Sequence, residues 1–249
     1  MSMRILDFGD AALTVEFGDA IDPALQARVN ALDVAIERAR AAGQLGGVIE
    51  TVPTFRSLTV VYDPLLTRRA TLEAALSELI DAADHAPVGD GRHWRLPACY
   101  GGAFGPDLAD VAAATNLTPE AVIDAHSATE YVVYMLGFLP GFPFMGDVPA
   151  ALQLPRRSEP RLRVPPGSIA IANGLTAIYP WESPGGWHLL GRCPVPLFDA
   201  TRDAPALLAA GDRVRFTPVS VDEFDRLDAE LKAGRLDPQQ WCSPAGEAS

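Results

Sequence analysis

Apolar residues recur along the first third of the chain with two alternating periods. In LDFGDAALTVEF, alternation on either side of Gly9-Asp10 predicts two short strands joined by a turn. Asp22-Pro23 then supplies an N-cap and a first-turn proline, and the apolar face Leu25, Val29, Leu32 and Ile36 predicts an amphipathic helix that stops at Gly43. GVIETV and SLTVVYD, on either side of Pro53–Arg56, are β-branched runs that predict a hairpin. Leu72, Leu76, Leu79 and Ile80 mark a second helix, and a last strand is expected around Trp94–Ala98. Strand, helix, hairpin, helix and strand suggest a small ferredoxin-like α/β domain over residues 1–88, with Pro87–Gly91 as the linker.

From residue 89 to 235 the punctuation changes, because prolines and glycines recur between short apolar runs, as in an all-β barrel. EYVVYMLGF, RVPPGSIAIA, LTAIYP, WHLLG and DRVRFTPV read as its strands. Two early helices open at Pro106-Asp107 and Thr118-Pro119-Glu120, and a capping box at Ser220–Glu223 opens a late one carrying Phe224, Leu227 and Leu231. Residues 236–249 read as a frayed tail. The whole is an α+β chain of two domains.

Composition narrows what such a chain does. Its 249 residues, 48% hydrophobic, suffice for packed cores. The N-terminus lacks an apolar signal region and no run is long enough to span a membrane, so a cytoplasmic location without membrane association is expected. Cys99, Cys193 and Cys242 form no CxxC pair, and no metal site is expected. A net charge of −12 disfavours nucleic acid, and the helix-turn-helix-like spacing of LADVAAATNLTPEAVIDAH carries no Lys or Arg. Lys232 is the only lysine, which excludes a Walker A loop, a Ser-Ser-Lys amidase relay and a biotin-bearing lysine.

Candidate chemistry concentrates between Tyr134 and Pro196. YMLGFLPGFPFMGDVP sets Phe138, Phe142 and Phe144 among glycines and prolines, a rigid aromatic surface for a small ligand or a partner. PRRSEPRLRVPPGS gathers Arg156, Arg157, Arg161 and Arg163, whose planar forks match carboxylate or phosphate oxygens. IYPWESPGGWHLLGRCP adds Tyr179 and Ser183 hydroxyls, a Pro-Gly-Gly loop, Trp187, His188 and Arg192. Spacing yields no Ser-His-Asp or Cys-His set, so the chain alone makes a poor hydrolase.

These three segments, with GDAALTVEFG, VPTFRSLTVVYDP and YGGAFGPDLADVA, resemble the B-subunit family of bacterial 5-oxoprolinase, also known as allophanate hydrolase subunit 1 or the KipI family. The resemblance runs almost end to end. It implies that the second domain is a cyclophilin-like β-barrel of the carboxyltransferase type. It also implies partners: the larger C subunit of 5-oxoprolinase (KipA, or allophanate hydrolase subunit 2-like) and its A subunit. Together these couple ATP hydrolysis, with Mg-ATP held at the complex rather than on this chain, to opening the lactam of 5-oxo-L-proline. Substrate-binding positions implied by the match include Phe138, Pro140, Gly141, Phe142, Arg156, Arg161, Tyr179, Ser183, Gly185, Gly186, Trp187 and Arg192, and the arginine cluster adds Arg163. Catalytic residues are not assigned. Two other functions fit the same resemblance: a role in urea carboxylase or allophanate metabolism, with a small amide substrate, and KipI-like inhibition of a sensor histidine kinase. Pro166, Asn173 and Cys193 depart from the family pattern.

Overall fold

The computed structural model describes residues 3–83 and 91–243. The chain divides into two compact units, residues 1–89 and 90–249. The linker expected at Pro87–Gly91 falls, apart from Gly91, outside the described residues.

The first unit comprises β1 (Arg4–Asp7), β2 (Ala12–Glu16), α1 (Pro23–Ala41), β3 (Val48–Pro53), β4 (Ser57–Tyr62) and α2 (Arg69–Ala83). Asp22 caps α1 by accepting the Ala24 N–H at 2.7 Å, and Gly43, at φ +75°, lets the chain turn away just after the helix. The four strands form an antiparallel sheet in the order β1-β2-β4-β3. Alternation puts Leu13, Val15, Leu58 and Val60 on the face covered by Val29, Leu32 and Ile36 of α1 and by Leu72, Leu76 and Ile80 of α2. This is a ferredoxin-like sheet with one substitution. The edge position beside β2, expected for the strand at Trp94–Ala98, is filled by β1. That later strand instead belongs to the second unit.

The second unit contains β5 (His93–Tyr100), α3 (Leu108–Thr115), α4 (Pro119–Ala128), β6 (Tyr131–Leu136), β7 (Pro143–Gly146), β8 (Arg161–Val164), β9 (Ser168–Ala172), β10 (Leu175–Ile178), β11 (Ser183–Gly185), β12 (His188–Arg192), β13 (Arg213–Pro218), α5 (Val221–Lys232) and β14 (Cys242–Ser243). Seven strands run in the order β12-β9-β10-β7-β6-β13-β5, and pairing of Gly191 with Tyr100 and Arg192 with Cys99 closes them into a barrel. Among the described residues only β13 and β5 pair in parallel. Trp94, Leu96, Tyr131, Val133, Met145, Val214 and Phe216 help to fill the interior.

Two strand expectations change. RVPPGSIAIA is not one strand but two, because Pro165-Pro166 remove ladder donors and Gly167 turns at φ +79°; β8 leaves to pair with β11, while β9 joins the barrel. Within the expected tail, Pro238–Trp241 form a 3₁₀ turn and Cys242 and Ser243 pair with Trp94 and His93 of β5. Residues 244–249 lie outside the described residues.

The barrel wall is apolar on both sides along β9, β10 and β12. Ile169, Ile171, Ile178 and Leu190 point into the core, whereas Ala170, Ala172, Ala177 and Leu189 face outward against Phe142, Tyr179 and Trp187. Three alanines on that outer face leave space for large rings, and this sets the position of the site.

Candidate functional site

A cavity of about 340 Å³ lies on this alanine-lined face of the barrel wall. Its aromatic side is Phe138, Phe142, Phe144, Tyr179 and Trp187. Phe142 is central, with edge-on contacts to Phe138 at 5.4 Å and Tyr179 at 5.0 Å, and a tilted contact to Phe144 at 4.9 Å. A tight turn delivers these rings: the Phe142 N–H donates to the Leu139 carbonyl at 3.0 Å, Gly137 N–H donates to the Phe142 carbonyl at 3.1 Å, and Phe138 and Gly141 take positive φ. Pro140 and Gly141 therefore shape the turn rather than line the cavity, and the Pro140 carbonyl accepts the Trp181 indole N–H at 3.2 Å.

The opposite wall comes from Arg156, Arg157, Pro160, Pro184, Gly185 and Gly186. Glycine is required at 185, since a β-carbon there would stand 2.5 Å from the Tyr179 hydroxyl. The Arg157 N–H donates to the Gly186 carbonyl at 2.7 Å, fastening the arginine segment to the Pro-Gly-Gly loop. Arg163 stays outside, exposed and paired with Glu182 at 3.2 Å. Ser183 is buried in β11, its hydroxyl without a hydrogen-bond partner among the described residues and so without a base to hold it. Arg192 does not reach this cavity at all; it stacks on the Phe104 ring at 5.3 Å and lines another hollow.

Asp107 organises the arginines, a role its sequence position before α3 does not show. It is 2% exposed. Its Oδ1 accepts Arg157 Nη1 at 2.8 Å and Arg161 Nη2 at 2.5 Å, and its Oδ2 accepts the Leu189 N–H at 2.7 Å. One buried carboxylate thus neutralises part of two guanidiniums and ties them to β12. Arg156 remains at the cavity with no hydrogen bond or ion pair among the described residues. Burial pushes the Tyr179 phenol up, with Arg156 and Arg161 pulling the other way. His188 donates from Nε2 to the Pro155 carbonyl at 3.0 Å, a structural tether beneath the arginine segment.

The arrangement can hold a small planar molecule between rings and attract its negative end with one uncommitted guanidinium. Among the described residues no group of His, Cys, Asp or Glu side chains is placed to hold a metal ion. No helix among them is long and apolar enough to cross a membrane.

Residues 3–208, which take in the first unit and most of the barrel, match the family described as carboxyltransferase domain, subdomain C and D, and that is the class of the chain. Within that class the chain belongs to the B-subunit family of 5-oxoprolinase. The B subunit of 5-oxoprolinase from Bacillus subtilis strain 168 is 40% identical over 235 residues, which cover 89% of this chain and 95% of the relative. Among solved structures, TTHA0988 superposes with a TM-score of 0.74 at 38% identity, over 85% of this chain and 40% of that one. The urea amidolyase of K. lactis superposes over 94% of this chain and 16% of its own, with a TM-score of 0.72 at 20% identity, a likeness of fold alone.

Proposed function

We propose that the chain is a non-autonomous subunit of an ATP-dependent 5-oxoprolinase, acting with the C and A subunits of that enzyme. In the overall reaction 5-oxo-L-proline, ATP and water give L-glutamate, ADP and phosphate: the lactam C–N bond breaks, water oxygen bonds to the carbonyl carbon, and the ring nitrogen leaves as an amine. The observation that carries this reading is Arg156, an uncommitted guanidinium facing an aromatic slot. A five-membered lactam ring suits the slot between Phe142, Phe144 and Trp187, and its carboxylate suits the guanidinium. Binding and orientation are this chain's contribution, because no nucleophile and base are paired among the described residues that line the cavity.

ATP belongs to the assembled complex in this reading. The cavity lining includes no carboxylate to hold Mg²⁺ among the described residues, so it fits the substrate anion better than a metal-bound triphosphate. A partner is also in keeping with the cavity's exposed ring: Phe138 is 63% exposed, apolar surface that a covering protein would bury. Urea-type chemistry has only distant similarity behind it, 30% identity over 46% of this chain to a urea amidolyase together with the shared fold, and no feature of the site favours a kinase-inhibitory role.

The test is 5-oxoproline-dependent ADP release by the reconstituted complex of the three subunits. Arg156→Met is expected to lower kcat/KM roughly 10- to 100-fold, matching about 1.5–3 kcal/mol for a charge-assisted hydrogen bond. Arg163→Met, on the exposed rim, should stay within about twofold. No ADP release by the wild-type complex, or an undiminished Arg156→Met enzyme, would defeat the proposal.

A further inference from the structure

Tyr179 borders two cavities. Its ring lies against Phe142 in the first, while its main-chain carbonyl accepts the Gly167 N–H at 2.6 Å, and Gly167 lines a second hollow of about 250 Å³. Pro166, Pro180, Pro194 and Pro196 line this second cavity, and Asp228 and Lys232 of α5 stand at it. Proline has no N–H, and the Gly167 and Cys193 amides are spent within the chain, Cys193 on the Gly167 carbonyl at 2.8 Å. The walls therefore offer rings and carbonyl oxygens but few free donors. Any acceptor-rich ligand has to be met by cationic side chains.

Arg192 is that donor. It enters from β12, its guanidinium 5.3 Å over the Phe104 ring, and makes no hydrogen bond or ion pair among the described residues. Its Nε is buried without a partner, so the bonding left to this side chain lies with the terminal nitrogens of the guanidinium. Burial also draws the Arg192 guanidinium below its usual range, against the pull of Asp228. Asp228 itself is engaged by Lys232 at 2.6 Å, so it does not neutralise Arg192 directly.

We propose that this second cavity is a binding site for a small oxyanion, a phosphate or a carboxylate, seated on Arg192 and separated from the first cavity by Tyr179. The inference rests on Arg192 and its surroundings alone and does not depend on the substrate assigned to the first cavity. A net charge of −12 makes diffuse anion adsorption unfavourable, so saturable binding would report a built site.

The experiment is calorimetric titration of the full chain with inorganic phosphate and, separately, with acetate at constant ionic strength. Saturable binding of at least one anion is expected, and the tighter of the two names the source. Arg192→Met, which keeps the apolar length against Phe104, should weaken binding tenfold or more. Asp228→Asn, which removes the neighbouring negative charge, should tighten it several-fold. Arg163→Met, exposed and lining neither cavity, should bind as wild type. The site is overturned if neither anion saturates or if Arg192→Met binds unchanged. Should Arg192→Met fail to fold, an unchanged affinity in Asp228→Asn overturns it equally.

Discussion

His126 shows what a single buried side chain dictates. Its Nε2 lies 3.0 Å from the Thr176 hydroxyl, which itself donates to the Ala170 carbonyl at 3.1 Å, so the imidazole must supply the proton at Nε2. Nδ1 is then free to accept from the Tyr100 hydroxyl at 2.8 Å. Complete burial holds the ring neutral and pulls its pKa from 6.5 to about 3. Between those values the unfolded chain binds the proton and the native one does not, so stability rises with pH through that window and is fully present above 6.5. One such group contributes a slope of up to about 1.4 kcal/mol per pH unit. Denaturant titrations from pH 4 to 7 should show this slope in the wild type and a flatter one in His126→Gln; identical slopes would remove His126 as the cause. The same scale explains what was legible in the site. Phe142, Arg156, Gly185 and Trp187 were visible because aromatic, guanidinium and glycine residues crowd short segments. Asp107 was not, since fifty residues separate it from Arg157 and nothing local distinguishes a helix-opening aspartate from one that clamps two arginines.

At the scale of elements, local signals located the five α-helices among the described residues and most strands, but not β7, β11 or β14 and not the sheets the strands join. HWRLPACY has the alternation of a half-buried strand wherever it pairs, so the ferredoxin-like pattern claimed it. What assigns it to the barrel is non-local: its parallel neighbour β13 begins at Arg213 and its closing neighbour β12 at His188. The split of RVPPGSIAIA, by contrast, was written in its own Pro-Pro-Gly. Barrel closure places a specific demand on Gly191, where a β-carbon would sit 2.5 Å from the Cys99 carbonyl oxygen, a backbone atom with little room to yield. Gly191→Ala is expected to cost about 1–3 kcal/mol, as overpacking generally does, and to lower the thermal midpoint. Gly186→Ala, whose added carbon would meet only Pro160 and Arg157 at 3.7 Å or more, serves as the control. Equal midpoints in the two variants would show that the closure tolerates a side chain.

Across the whole molecule, the core of the first unit and the cores of the second share no residue. Residues 91–249 expressed alone should therefore keep a cooperative thermal transition and a near-ultraviolet circular dichroism signal. A broad, non-cooperative melt would show that the barrel needs the first unit to fold. The two units also differ in how far apart in sequence their partners lie. β1 occupies the sheet edge that a later strand was expected to fill, so the first sheet is complete by Tyr62 and its covering helices by Ala83. β5 has no neighbour within its own stretch of chain and stays open until β12, β13 and finally Cys242 arrive. For a chain made from its N-terminus onward, the first unit can lock before any of the barrel leaves the ribosome. Trp94 and Leu96, by contrast, must wait for about 120 further residues before their parallel partner exists, and for that interval they depend on being kept from other chains.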